Sequence, residues 1–191
     1  HGQLARVGMP HADLTDPSTG STAALHPFHW PLEFPEVFLA EGRTGFDAFV
    51  GNPPFLGGRR VRETLGDHYR SYLDNAYPGS SGNADLSAFF FLRGFANLAT
   101  HGTLGLIATN TIGQGDTRLT GLSVIEAGGG AIVRAANNVP WPGHAAVVVS
   151  IVHIAKGSPK GPFFVDEQAV PNITSFLEGG SDGAEPYSLA A

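Results

Sequence analysis

The segment Asn52-Pro53-Pro54-Phe55 combines residue types that could act on a planar, conjugated amino group. Such a nitrogen is a poor nucleophile because its lone pair is delocalised, and two fixed hydrogen-bond acceptors favour the pyramidal form that attacks. The Asn52 carboxamide oxygen can supply one acceptor and the Pro53 backbone carbonyl the other. The prolines restrict the backbone and remove N–H donors, while Phe55 offers a face for an extruded base. No metal is needed for this chemistry. A simple turn is the alternative interpretation, since Asn-Pro favours turn initiation.

The elements around this segment indicate an α/β fold. A short buried strand is predicted at Phe46–Val50, just before Asn52, and the aromatic, proline-rich residues 26–38 are predicted to clamp onto the core without a long helix. Periodicity then predicts a short helix at Val61–Leu73, a helix at Ala84–Ala99 capped by Asn83, a strand at Leu104–Ala108, a helix from Asp116 or Thr117 to Ala127, strands at Ala131–Ala135, Ala145–Ala155 and Phe163–Val165, and a short helix at Ile173–Leu177.

This order of elements predicts an open sheet that is parallel at first and closes with an antiparallel strand pair. Ligands of such sheets bind at the carboxyl ends of the strands. Asn52 follows one predicted strand end and Asn110 follows another. Both loops are therefore candidate walls of a cleft.

The composition limits the kinds of partner. The 191 residues carry a net charge of −6, which is not typical of a stand-alone nucleic-acid binder. Contact with nucleic acid would have to rest on a local patch, of which Arg59, Arg60 and Arg62 form the best candidate, or on segments outside this chain; a solvated basic turn is the alternative. The chain has no cysteine, so disulfides and thiolate metal sites are excluded. It shows neither a signal peptide nor a transmembrane stretch, which predicts a cytoplasmic protein without membrane contact.

Several stretches resemble the N6-adenine DNA methyltransferases, specifically the type IIG/IIL restriction–modification and phage-defence enzymes. FDAFVGNPPFLGG (46–58) is similar to their catalytic strand and loop. Four other stretches share the resemblance: HWPLEFPEVF (29–38), NADLSAFFFLRGFANL (83–98), GTLGLIATNTIGQGDTR (102–118) and NNVPWPGHAAVVVSIVHIAKG (137–157). Together they cover about residues 26–178.

The resemblance implies a Rossmann-like, S-adenosylmethionine-dependent methyltransferase fold, of which this chain would form the C-terminal half of the sheet. It also implies methyl transfer to N6 of a flipped adenine in double-stranded DNA, with nuclease or other defence modules as possible associates. Asn52 and Pro53 would accept from the target amino group, and Asn52 and Pro54 would border the methionine end of the cofactor. Phe55 would stack on the adenine, and Trp141 would take a second aromatic position. For Trp141 the alternative is a plain core anchor.

The sequence departs from the family before Asn52. The glycine-rich loop after the family's first strand and the acidic residue after its second do not occur there. We therefore expect residues 1–25 to be an irregular segment or insertion, residues 26–178 a partial catalytic domain, and residues 179–191 a linker towards a missing target-recognition domain. A chain of this kind would hold half a cofactor site and would be inactive alone.

Two other classes of function stay open on the sequence. An Asn-Pro-Pro-aromatic segment also suits methylation of an RNA guanine or a protein glutamine amide, because those nitrogens are planar and weakly nucleophilic too. The absent cofactor half is compatible with a non-catalytic DNA-binding or partner-binding remnant. A glycine-rich first loop upstream would support the enzyme, and its absence would support the remnant.

Overall fold

The structure, a computed structural model, describes residues 28–141 and 147–180. The helices are α1 (Trp30–Glu33), α2 (Pro35–Phe38), α3 (Gly58–Ala76), α4 (Leu86–Ala96), α5 (Gly115–Thr120) and α6 (Leu122–Ala127), with a 3-10 turn at Asn110–Gly113. The strands are β1 (Phe46–Gly51), β2 (Leu98–Thr109), β3 (Gly130–Pro140), β4 (Val148–Lys156), β5 (Phe163–Val165) and β6 (Gln168–Val170).

These strands form one six-stranded sheet in the order β1-β2-β4-β3-β5-β6. Strands β1 and β2 are parallel, and β4 lies antiparallel between β2 and β3. Strand β5 then pairs parallel with β3, and β6 pairs antiparallel with β5. The predicted sheet, parallel at first and closed by an adjacent antiparallel pair, is confirmed.

The register brings several strand ends together. Gly51 at the end of β1 lies beside Leu106 of β2, and Thr109 at the end of β2 lies beside Val149 near the start of β4. Pro140 at the end of β3 lies beside Val148, the first residue of β4. The carboxyl ends of β1, β2 and β3 therefore share one end of the sheet, which is where open α/β sheets bind ligands.

Helix α4 packs apolar side chains against the sheet. Its sequence LSAFFFLRGFA buries side chains on several sides, and Phe91 is 0% exposed. Removing a side chain of that size from water stabilises the fold by about 1.5–3 kcal/mol. Phe91 and Phe95 join Leu104, Ile125 and Ile154 in the main core. The prediction of a buried strand at β1 was wrong, because none of its residues is buried and Val50 is 88% exposed. Within the described ranges, β1 is an edge strand of the sheet.

A second, smaller core lies between α3 and α4, where Val61, Leu73 and Phe89 are buried. Helix α3 is kinked at Gly66, which has a φ of 81°. The buried guanidinium of Arg70 forms an ion pair with Asp74, and this hydrogen-bonded partner lowers the pKa of the Asp74 carboxyl. The pairing of Arg70 with Asp74 therefore ties two turns of α3 together beside the apolar cluster.

Aromatic rings fasten the segment before β1 to that strand. Trp30 lies 5.2 Å from Phe49 and Phe34 lies 5.3 Å from Phe46, both measured between ring centroids and both edge-on. The prediction that this aromatic, proline-rich segment is clamped onto the core is confirmed, and α1 and α2 have only four residues each.

The helix predictions were wrong in three places. Helix α4 is capped by Asp85, whose carboxylate accepts from the Ser87 N–H, and not by Asn83. The helix predicted up to Ala127 is broken at Gly121 into α5 and α6. Residues 173–177 form no helix; an isolated bridge joins Ile173 to Gly179 there. Of the expected terminal regions, residues 1–25 and 181–191 lie outside the described residues. No helix in the described part of the chain is long and apolar enough to span a bilayer.

Candidate functional site

The loop after β1 carries the four residues singled out in the sequence. Residues 52–57 have no regular secondary structure; Asn52 and Pro54 are exposed, Pro53 is buried and Phe55 is half-buried. The β1 strand ends where proline removes the N–H that a ladder would use. Among residues 28–141 and 147–180, the Asn52 carboxamide has no hydrogen-bond partner. Its oxygen is therefore available to an external donor at the carboxyl end of β1.

Two contacts hold the far side of this loop. The carbonyl oxygen of Leu56 accepts from the N–H of Leu86, at the first residue of α4, with a distance of 2.8 Å. Gly58 is pressed against the backbone of Gly82 and Asn83 so closely that a Cβ there would overlap the Gly82 carbonyl oxygen. The loop is thus fixed between β1 and the start of α4.

The start of α4 is itself cross-linked to α5. The N–H of Asp85 donates to Thr117 Oγ1 at 3.1 Å, and its carboxylate caps α4. Asn83 Nδ2 donates to Asp116 Oδ2 at 3.0 Å. Asp85 therefore has the capping role that the sequence analysis gave to Asn83. It stabilises the helix to which the loop is attached.

The three arginines after the loop have different surroundings. Arg59 and Arg60 lie in the first turn of α3 and line, with Gly57, Gly58 and Asn83, a pocket of about 350 Å³. Arg62 instead forms an ion pair with Asp67 at 3.1 Å. Within the described part of the chain, Arg59 and Arg60 have no such partner. Two of the three arginines are therefore free to meet an anion beside the loop.

Trp141 lies at the same end of the sheet as Asn52. It follows β3 directly and is half-buried. Its backbone N–H donates to the Val147 carbonyl oxygen at 2.9 Å. This bond closes the connection between β3 and β4; residues 142–146 within that connection lie outside the described residues. Strands β2 and β4 separate Trp141 from the Asn52 loop in the sheet order. The topology therefore places the Asn52 loop and Trp141 at the same end of the sheet.

A polar cluster that sequence reasoning did not assemble lies between those halves. Asn110 Nδ2 donates to Asn138 Oδ1 at 2.6 Å, and Ser150 Oγ donates to Asn110 Oδ1 at 3.0 Å. Asn110 was expected to be a cleft wall, but nothing pointed to Asn138 or Ser150. The adjacent pair Asn137-Asn138 inside a β-branched context was the signal that could have indicated a break in strand pairing.

The titratable groups with displaced pKa values lie outside the candidate site. Burial raises the pKa of Tyr69 and Tyr77 between α3 and α4. Burial, with a contribution from Arg134, lowers the pKa of His153 in β4. No cluster of three histidine or acidic side chains suited to a metal ion occurs in the described ranges. The candidate site is made of amide and carbonyl groups, aromatic rings and two arginines.

Comparison with known proteins follows the same part of the chain. A family model described as the Eco57I restriction-modification methylase matches residues 14–122, which is more than half of the chain and includes the Asn52 loop and Asn110. No curated protein matches the sequence.

Two solved structures are similar in fold. The type IIL restriction-modification enzyme MmeI, solved in complex with DNA, matches with a TM-score of 0.59 and 21% identity over 71% of this chain. This chain spans 20% of the length of that enzyme. A protein from Listeria monocytogenes, described as a class I S-adenosylmethionine-dependent methyltransferase, has a TM-score of 0.45 and 12% identity over 63% of this chain and 36% of its own. The match to MmeI, together with the methylase family model, confirms the expected Rossmann-like α/β fold.

Proposed function

Since the chain belongs to the Eco57I restriction-modification methylase family, we propose that it transfers a methyl group from S-adenosylmethionine to N6 of adenine in double-stranded DNA. The observation that carries the proposal is the exposed Asn52 carboxamide. It follows β1 at the ligand-binding end of the sheet and has no partner among the described residues. Restriction or phage defence, together with a nuclease module, would be the setting.

The loop residues would act on the amino group of the base. Asn52 Oδ1 and the Pro53 carbonyl oxygen would each accept one hydrogen bond from N6, which localises the nitrogen lone pair for attack. The attachments of Leu56 and Gly58 hold the backbone of the loop, and with it the Pro53 carbonyl oxygen, before the base arrives. The exposed Asn52 side chain would be oriented by its hydrogen bond to the base. A fixed acceptor needs no reorganisation during the reaction, which contributes to the expected rate enhancement.

Two aromatic rings would hold the base after it leaves the duplex. Phe55 is half-buried beside Asn52, and Trp141 is half-buried at the same end of the sheet. Stacking of a base on an aromatic ring is worth about 1–3 kcal/mol, which offsets part of the cost of unstacking. Phe55 and Trp141 would thus share the task of retaining the adenine.

The methyl donor would lie against the same loop. When bound, S-adenosylmethionine supplies an electrophilic methyl group on sulfur that the amino nitrogen can attack in line. Asn52 and Pro54 are exposed at the carboxyl end of β1 and would border its methionine end. The described residues thus fit one wall of a donor site.

DNA contact would rest on the first turn of α3. Arg59 and Arg60 line the pocket beside the loop and have no ion pair in the described part of the chain. Unpaired arginines next to a reacting base suit the phosphates of the target strand. The complex of MmeI with DNA, although that enzyme shares only the fold, supports DNA as the substrate.

The test uses the full-length protein, S-adenosylmethionine and DNA, with N6-methyladenine mapped at base resolution. Asn52→Ala should abolish methylation and should weaken cofactor binding much less, because Pro54 and the loop backbone still border the donor. The matched control is Asn75→Ala, because Asn75 is an exposed residue of α3 whose Nδ2 donates to the Ser71 carbonyl oxygen one turn away. Methylated adenine at one short motif, lost only in Asn52→Ala, would establish the reaction.

Other results would redirect the assignment. Cofactor binding without DNA methylation would move the substrate to an RNA or a protein amide. Absence of cofactor binding in the wild-type protein would contradict methyl transfer and favour a non-catalytic remnant.

A further inference from the structure

A cluster of amide and hydroxyl side chains joins three strands at the candidate site. Asn110 follows β2, Asn137 and Asn138 lie in β3, and Ser150 lies in β4 between them. Asn110 Nδ2 donates to Asn138 Oδ1 at 2.6 Å, so this pair of amides bridges across β4. The cluster occupies the sheet end that carries both Asn52 and Trp141.

The buried Ser150 hydroxyl fixes the orientation of the Asn110 and Asn137 amides. Ser150 is 1% exposed, and its hydroxyl lies 3.0 Å from Asn110 Oδ1 and 3.3 Å from Asn137 Oδ1. Asn137 Nδ2 donates to the Leu177 carbonyl oxygen at 3.0 Å, which leaves its Oδ1 turned towards Ser150. A buried hydroxyl is costly to leave unpaired. The Asn110 amide therefore presents its oxygen to Ser150 and its nitrogen to Asn138.

The backbone of β3 is bulged at this cluster. Ala136 lies beside Ile151 and Val139 lies beside Val149, so Asn137 and Asn138 together oppose the single residue Ser150. Asn138 has a φ of 54°, a left-handed conformation that asparagine tolerates better than most residues. A bulge of this kind bends the strand and redirects the side chains that follow it. The first large side chain after the bulge is Trp141, three residues on from Asn138.

We propose that Asn110 and Asn138 form a positioning pair that sets the Trp141 ring against the target base. This inference rests on the proposed function. Asn110 anchors the bulge to the end of β2. Val139 and Pro140 pair with β4 after the bulge, so the bend of the strand there determines where Trp141 is placed. Asn110 touches no reacting atom in this scheme; it acts through Trp141.

The test replaces the target adenine by 2-aminopurine, whose fluorescence reports its unstacking from the duplex and its stacking on protein rings. Asn110→Ala in the full-length protein should change the 2-aminopurine signal and lower kcat about three- to tenfold, the worth of one hydrogen bond. The KM for S-adenosylmethionine should stay unchanged. In a Trp141→Ala background, Asn110→Ala should cause no further loss, since residues that act through one another are not additive.

A second set of variants keeps the test decisive if Asn110→Ala folds poorly. In Asn138→Asp the carboxylate still accepts from Asn110, and in Asn110→Asp the Asn138 amide can turn over and donate. Each single variant should therefore lose much less activity than Asn110→Asp combined with Asn138→Asp, which faces two carboxylates towards each other. Thermal melting of every variant separates loss of fold from loss of positioning.

The outcomes divide clearly. If Asn110→Ala lowers kcat equally in the wild-type and Trp141→Ala backgrounds, the inference is overturned while the proposed function stays intact. The same holds if Asn138→Asp alone loses as much activity as the double aspartate variant. A wild-type protein that neither methylates DNA nor perturbs 2-aminopurine would overturn both.

Discussion

The backbone N–H of Leu86 donates to the carbonyl oxygen of Leu56 at 2.8 Å. This bond joins the first residue of α4 to the loop that carries Asn52. A helix start has N–H groups without partners inside the helix, and here one of them positions the candidate catalytic loop. The stability of α4 and the geometry of the loop are therefore linked.

The close approach of Gly58 to Gly82 and Asn83 predicts a steric effect on the loop. Gly58→Ala should destabilise the fold by about 1–3 kcal/mol, because the added methyl meets backbone atoms that cannot rotate away. Methyl transfer should fall along with stability. The matched control is Gly57→Ala: Gly57 has open space around its Cβ position and a φ of −58°, so that variant loses only the small N-cap preference for glycine. Thermal melts and methylation rates compare the two; equal behaviour would contradict this account.

The Asp85 carboxylate predicts a capping effect. Asp85→Ala removes the acceptor for the Ser87 N–H and should cost about 1 kcal/mol in the free energy of unfolding. Asp85→Asn should recover most of this loss because asparagine caps nearly as well. Asp67→Ala, which breaks only an exposed ion pair, serves as the comparison. Urea unfolding measures all three, and an Asp85→Asn variant no better than the alanine variant would point to a role other than capping.

The unequal surroundings of the three arginines predict unequal effects on DNA binding. Arg59→Ala and Arg60→Ala should each reduce the slope of log K against log salt by about 0.9, the value of one phosphate contact. Arg62→Ala should change the slope less, because Arg62 is already paired with Asp67. Fluorescence anisotropy of labelled DNA over a salt series gives the slopes. Three equal slopes would show instead that the arginines act as one surface.

The lowered pKa of His153 predicts a pH dependence of stability. Burial, with Arg134 adding to it, makes the folded protein bind this proton less readily than the unfolded chain. The contribution of His153 is therefore fully present above its ordinary pKa of 6.5 and is lost as the pH falls through the lowered pKa. His153→Gln should flatten the dependence of the free energy of unfolding on pH in that range. Unfolding curves from pH 8 to pH 5 test this, and an unchanged slope in the variant would assign the dependence to other groups.

The parts of the fold that sequence predicted well have local causes. The strand at Phe46–Gly51 is apolar and is stopped by Pro53 and Pro54, so its end and the loop could be located without knowledge of its neighbours. The order of strands and helices then favoured a sheet that is parallel first and antiparallel later. The position of Asn52 at a strand end was therefore predictable.

The parts that sequence missed depend on contacts made far along the chain. The helix predicted to Ala127 breaks at Gly121, where a Cβ would lie 3.1 Å from the Ala88 side chain of α4. Residues 173–177 have apolar residues at helical spacing, but Leu177 takes a φ of 62° and the segment closes into the bridge from Ile173 to Gly179. Tertiary packing overrides local preference in both places.

The polar cluster at the site was missed for a similar reason. Asn137 and Asn138 are poor strand formers, so β3 was expected to end at Ala135. The structure continues β3 to Pro140 by placing the two asparagines in a bulge supported by Asn110 and Ser150. The adjacent pair of asparagines, Asn110 and Ser150 lie in three separate segments of the chain, which the pairing of β4 with β2 and β3 brings together.

The central place of β4 also sets the order in which the sheet can be completed. Strand β4 is made after β2 and β3, yet it supplies the hydrogen bonds that join them. A chain emerging from the ribosome can form the β1–β2 pair once Thr109 has been synthesised. Strand β3 cannot join that pair until β4 (Val148–Lys156) has also been synthesised, because β4 lies between β2 and β3. The pairing of β4 with β3 is local, whereas its pairing with β2 joins Thr109 to Val149 and is non-local, which slows folding relative to a sheet built strand by strand.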